Sequence, residues 1–211
     1  MESIEKIVIE ACVGSLQQSI NAQQCGAGRL ELCDLEDPDG TTPSEAMMRA
    51  VKEAVNIPIR VIIRPRGGDF VYSPSEIEQM KESISLARRI GMDGVVLGIL
   101  TPDNHLDISA MQPLIDLAKP LHVVVHKAID YTDDPLAEMM RLQEVAGVNG
   151  ILTSGGHTTA REGAEVLRSM VANQKQIRII VAGKVTNDNL HELVALIGAS
   201  QYHGKRIVGP I

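Results

Sequence analysis

Glu10 and Cys12 repeat the spacing of Glu31 and Cys33: a carboxylate and a thiol two residues apart, each pair near the end of an apolar run. On an extended chain, residues two apart share a face. Paired carboxylates such as Glu10 and Glu31 can transfer protons if one raises the pKa of the other. Cys12 and Cys33, ending strands about 4.8 Å apart, could jointly hold a soft ion such as Cu(I), which prefers thiolate. With no C-x-x-C, they could equally be small buried residues. His126 with Asp130 is the strongest acid/base candidate, an imidazole with carboxylates near it. Arg64, Arg66, Lys127 and Lys184 supply positive charge. Thr153 and Ser154 supply hydroxyls, and the Gly155–Gly156 turn supplies backbone amides ahead of a helix opening near Thr159. Together they suit an anionic ligand, phosphate or carboxylate. Asp69 and His203 complete the set. No Ser–His–Asp order, H-E-x-x-H spacing or P-loop is visible.

Positioning these residues requires elements that bring them to one place. Short apolar runs alternate with amphipathic stretches throughout: 6–12, 29–33, 60–64, 93–99, 122–128, 150–154, 178–183 and 200–204 read as strands. Helix starts are marked by Ser15 with Gln18, Thr42-Pro43 with Glu45, Ser73-Pro74 with Glu76, and Thr159 with Glu162. Gly26, Gly91, Gly147 and Gly198 mark helix ends. Eight strands and seven helices in strict alternation imply a parallel sheet covered by helices. An open doubly wound sheet is the rival, but the turn after the first strand, "ACVGSLQQS", lacks the G-x-G-x-x-G of a dinucleotide fold. Polar residues cluster at strand C-termini all round, which favours a closed (β/α)8 TIM barrel with those residues at its mouth.

After the eighth strand only "KRIVGPI" remains, too short for an eighth outer helix. The groove beside strands one and eight should therefore expose apolar surface, covered by the tail or by a second subunit, most simply in a homodimer. Inside the barrel, Leu30 and Leu32 face the helices, so Glu31 points inward, with Arg64 as its expected partner. Arg64, Ser154 and the Gly155–Gly156 amides should converge on one anion, ringed by Glu10, Glu31 and His126. Arg64 should also help both thiols ionise.

Composition narrows the field further. The 211 residues fit one domain, 1–211, without a linker. A net charge of −7, one Phe, three Tyr and no Trp argue against nucleic acid as a partner. "MESIEK" does not read as a signal peptide, and no run reaches membrane-spanning length. Three cysteines read as reduced thiols in the cytoplasm.

"RLELCDL", "IPIRVIIRPRGGDFVYS", "GMDGVVLGIL", "HKAID" and "ILTSGG" resemble the CutC copper homeostasis family from the first strand to the eighth. The resemblance implies a cytoplasmic TIM-barrel protein linked to copper tolerance, with copper held by Cys12 and Cys33. Two stretches depart from that family's pattern: Lys127 and Ile129 stand where strand five usually ends His-Arg-Ala-Phe-Asp, and Lys184 interrupts the glycine run after strand seven. A second reading stays open, a barrel enzyme acting on a small anionic metabolite with copper effects indirect.

Overall fold

A computed structural model describes residues 7–35 and 40–211. The start "MESIEK", including Lys6 of the first strand candidate, lies outside the described residues. Eight parallel strands close into a barrel in sequence order: β1 (Val8–Val13), β2 (Arg29–Leu32), β3 (Ile59–Ile62), β4 (Gly94–Leu97), β5 (His122–Val125), β6 (Val148–Thr153), β7 (Arg178–Val181) and β8 (Gln201–Gly204). Closure is direct, with Val8 beside Gln201 and Glu10 beside His203. Seven α-helices lie outside: α1 (Leu16–Gln24), α2 (Glu45–Ala54), α3 (Pro74–Ile90), α4 (Ile108–Ala118), α5 (Pro135–Leu142), α6 (Ala164–Asn173) and α7 (Asn187–Ile197).

Local chemistry accounts for most element ends. Ser73 and Glu76 form the reciprocal capping box of α3, Pro74 opens it and Gly91 ends it in the left-handed conformation. α2 starts two residues later than expected, with Ser44 as cap. Thr42 instead braces strand three's end: its hydroxyl accepts from Arg64 N at 2.8 Å and donates to Arg64 O at 3.1 Å. Thr159 and Glu162 make their reciprocal bonds in a turn, and α6 opens only at Ala164. The expected strand 122–128 stops at Val125, because Lys127–Tyr131 coil into a 3₁₀ turn capped by His126.

Two cores result. The outer one lies between barrel and helices and holds the alternate strand residues Ala11, Val13, Leu30, Leu32, Val61 and Ile63. The inner one is two-sided. Val96, Val124, Leu152, Ile180 and Ala182 from β4–β7 and the end of β7 form an aliphatic plug, each of the larger side chains contributing about 1.5–3 kcal/mol on burial. Cys12, Cys33 and Ile62 form a separate small cluster on the β1–β3 side.

Of the two covers expected for the groove beside β1 and β8, the tail supplies one. Residues 205–211 form turns rather than a helix. Ile207 is fully buried, and Val208 and Ile211 pack against the outer core. The exposed large apolar side chains among the described residues, Val71, Tyr131 and Met140, lie elsewhere. No helix among the described residues is long and apolar enough to cross a membrane.

Candidate functional site

At the C-terminal end of the barrel a cavity of about 310 Å³ opens among Cys12, Glu31, Cys33, Arg64, His126, Lys127, His203 and Lys205, with Ile62, Phe70 and Leu152 as apolar wall. Its floor follows from strand parity. Cys12 and Cys33 point inward from β1 and from the end of β2, and their sulfur atoms lie 3.7 Å apart, both buried. The Cys33 thiol is 3.6 Å from Glu31 Oε2. One ligand atom from each of Cys12, Glu31 and Cys33 falls within 4.8 Å of the others. Glu31 Oε1 is buried with no hydrogen-bond partner.

Beneath this floor lies a charge network. Glu10, 1 % exposed, accepts from Arg29 Nε, from Arg60 Nη1 at 3.1 Å and from His203 Nδ1 at 2.9 Å. The other nitrogen of His203 stands 3.5 Å from Glu31 Oε2. His203 thus bridges the two carboxylates, and Arg29, Arg60 and His203 share Glu10.

Environment divides the titrating groups. Burial pushes Glu10 upward, but the His203 hydrogen bond and the charges of Arg29, His203 and Arg60 outweigh it and hold the group well below the usual carboxylate range. Glu31 is pushed up to about 8, chiefly by burial, with Cys12 and Glu10 adding and His203 opposing. The hydrogen bond from Cys33 holds Cys12 well below the usual thiol range against its burial, with His203 and Lys205 assisting. The same bond and burial raise Cys33. Burial alone would lower His203, but Glu31, Cys12 and Glu10 together hold it well above the ordinary imidazole. Groups with opposed pKa shifts therefore meet at the floor: Cys12 lowered, and Cys33, Glu31 and His203 raised. Arg64 is not what ionises the thiols: His203 and Lys205 act on Cys12, and Cys33 keeps its proton.

A family model described as the CutC family matches residues 7–208. A mouse protein named copper homeostasis protein cutC homolog is 41 % identical over 93 % of this chain and 72 % of its own. The chain belongs to the CutC family. A crystal structure assigned to a Streptococcus agalactiae copper homeostasis protein CutC superposes with a TM-score of 0.89 at 32 % identity, covering 95 % of this chain and 99 % of that one. A thiamine phosphate pyrophosphorylase from Pyrococcus furiosus, at 14 % identity over 95 % of this chain and 86 % of its own, shares the fold alone, with a TM-score of 0.64.

In this CutC chain the anion site expected from Arg64, Ser154 and the Gly155–Gly156 amides does not assemble. The chain's own Asp130 carboxylate fills the turn after β6, accepting from Thr153 Oγ1, Ser154 N, Ser154 Oγ and Gly156 N, and pairing with Lys127 at 2.9 Å. The Gly155 amide goes to Thr153 Oγ1 instead. Asp130 consequently turns away from His126, and the expected acid/base pair is not formed. His126 Nδ1 accepts from Ala128 N at 3.2 Å, which leaves the proton on Nε2, buried without a partner. Burial first, then Arg64, lowers its pKa to about 3, so it remains neutral. Gly98 makes room for this ring: a Cβ there would lie 2.7 Å from ring atoms of His126.

Other expected site residues line the cavity with their groups engaged elsewhere, or sit away from it. Arg64 lines it, yet its guanidinium donates to Gly68 O at 2.7 Å and Gly40 O and lies 4.7 Å from the Phe70 ring centre. Glu31 pairs with His203 and Cys33 rather than with Arg64. Arg66 and Asp69 bond each other at 2.9 Å, and Arg66 also holds Glu76 and the Val71 carbonyl, which makes them the brace of the third loop. Lys184 is exposed, in the left-handed conformation with φ 55°. Glu10 lies below the floor, where it orients His203. Lys205, directly after β8, was not singled out in the sequence. Neither were Arg29 and Arg60, although Arg29 shares the inward parity of Glu31, and Arg60 that of Ile62 and Arg64.

Proposed function

We propose that this CutC protein handles copper as Cu(I), held between Cys12 and Cys33 on the floor of the mouth cavity. The observation that carries the reading is the 3.7 Å approach of two buried sulfur atoms beside a solvent-facing cavity. Two soft donors suit a soft monovalent ion, and Glu31, a hard donor, suits it poorly as a third ligand. The hydrogen bond from Cys33 favours the thiolate at Cys12, Cys33 would give up its proton on binding, and Glu31, Cys12 and Glu10 favour a protonated His203, which would offset the negative charge of a dithiolate–metal unit. A pair of thiols without further soft ligands favours exchange, as transfer or buffering demands. Thiols open to Cu(I) need a reducing compartment, which supports a cytoplasmic setting.

Competition for Cu(I) against a chelator tests the reading. The wild type should hold one ion per chain, and Cys12→Ser/Cys33→Ser should lose it. Undiminished binding by the double variant would end the two-cysteine account.

A second reading, an enzyme or binding protein for a small organic anion, draws on the unpartnered Nε2–H of His126 beside Lys127 and Lys205. Self-association as a homodimer also belongs to the proposal, now without the groove beside β1 and β8. Sedimentation velocity at micromolar concentration should give a dimer, and monomer alone would remove it.

A further inference from the structure

The opposite, N-terminal end of the barrel holds a larger cavity, about 570 Å³, into which Arg29, Arg60 and Arg178 all project from strand starts. Arg29 and Arg60 are 9 % and 8 % exposed and share a single carboxylate, Glu10, which His203 also uses. Arg178 is exposed, and its guanidinium has no hydrogen-bond or ion-pair partner among the described residues. Buried guanidinium groups are costly unless paired, so this end carries positive charge in excess of its own anions. Burial first, then the neighbouring Arg29, lowers the Arg60 pKa against the pull of Glu10 and Glu31.

Little lining the cavity offsets it. Asp93 is the one acidic residue among the described lining residues, and its Oδ2 is already committed to Lys52 Nζ at 3.1 Å and Ile59 N at 2.9 Å. Of the three side-chain amides in the lining, Gln176 spends its NH₂ on Gln143 O, and the other two present themselves as donors. Asn149 Oδ1 accepts from Val123 N at 2.8 Å, and Gln201 Oε1 accepts from Arg29 at 2.7 Å. Each oxygen is thereby engaged, so each NH₂ is left to donate. Three guanidinium groups and two amide NH₂ groups on one wall recognise an oxyanion, and planar guanidinium groups match phosphate oxygens in pairs. The volume falls within the range of small-molecule sites.

We propose that the N-terminal end of the barrel is a second ligand site, for a small multivalent oxyanion of the phosphate type, built on Arg29, Arg60 and Arg178 with the amides of Asn149 and Gln201. It is separate from the thiol site, lying on the other side of the Glu10 network. Its placement is unusual, since activity in this fold sits at the mouth.

Pyrophosphate is the probe, in thermal unfolding at ionic strength matched with chloride, because exposed charge alone responds to salt. Replacing Arg29 or Arg60 would strand Glu10, so Arg178→Gln is the diagnostic variant, its side chain having no partner to lose. Wild type should be stabilised as pyrophosphate rises. Arg178→Gln should need about tenfold more, the weight of one charge-assisted hydrogen bond, while retaining Cu(I) binding. Lys205→Gln, at the mouth, should respond as wild type does. The proposal is overturned if wild type shows no stabilisation beyond the chloride control, if Arg178→Gln is unaffected, or if Lys205→Gln abolishes the response and so moves the anion to the mouth.

Discussion

The mouth and the layer beneath it are both polar and both buried, yet they treat charge in opposite ways. Beneath the floor, Glu10 has its acceptors filled by Arg29, Arg60 and His203 at hydrogen-bond distance. At the mouth, Glu31 Oε1 and His126 Nε2 are buried with no partner, and two sulfurs face each other at 3.7 Å. Unmade hydrogen bonds in the interior cost about 1–3 kcal/mol each. The difference teaches that the lower network fixes side chains in place, while the mouth keeps reactive atoms uncommitted at the expense of stability.

The sharpest way to break that comparison is to remove the shared carboxylate. Glu10→Gln leaves Arg29, Arg60 and His203 without their counter-charge, and should lower unfolding free energy in urea by about 3–5 kcal/mol. A loss below about 1 kcal/mol, typical of exposed ion pairs, would mean the network is not the structural anchor of the barrel interior.

A smaller effect is expected from His126, and it depends on pH. Its folded pKa, about 3, lies below the ordinary value of 6.5. The unfolded chain therefore takes up a proton first as pH falls, and stability contributed by neutral His126 is present above pH 6.5 and lost between there and about 3. At pH 5 that loss is about 2 kcal/mol. His126→Gln should be correspondingly less sensitive to acid than wild type when urea midpoints at pH 7 and pH 5 are compared. Identical acid sensitivity would show that the ring is protonated or solvated at the mouth after all.

Much of this arrangement is legible in the sequence because two regular periods encode it. The alternation of strands and helices yields the barrel, and parity along β1 and β2 brings Glu10 and Cys12 to the interior with Glu31 and Cys33. What the residues along the chain do not reveal is which polar groups satisfy one another across it. The amides after β6 read as an anion site, but Asp130, on a 3₁₀ turn that no local signal separates from β5, occupies them first. His203 reads as a rim residue, whereas closure of β8 on β1 places it between two carboxylates. Arg29 and Arg60 share the inward parity but are read as strand starts, since their partner Glu10 is reached only across the closed barrel. The residues alone do not choose between tail and second subunit as the cover beside β8, where the buried Ile207 packs near Gly204.

The central claim is that the paired sulfurs of the mouth are the copper ligands. X-ray absorption at the copper edge, on the chain loaded with one equivalent of Cu(I), reads the ligands directly. The account predicts two sulfur neighbours that disappear in Cys12→Ser/Cys33→Ser. A spectrum with nitrogen or oxygen neighbours and no sulfur, or one unchanged in that variant, would contradict it.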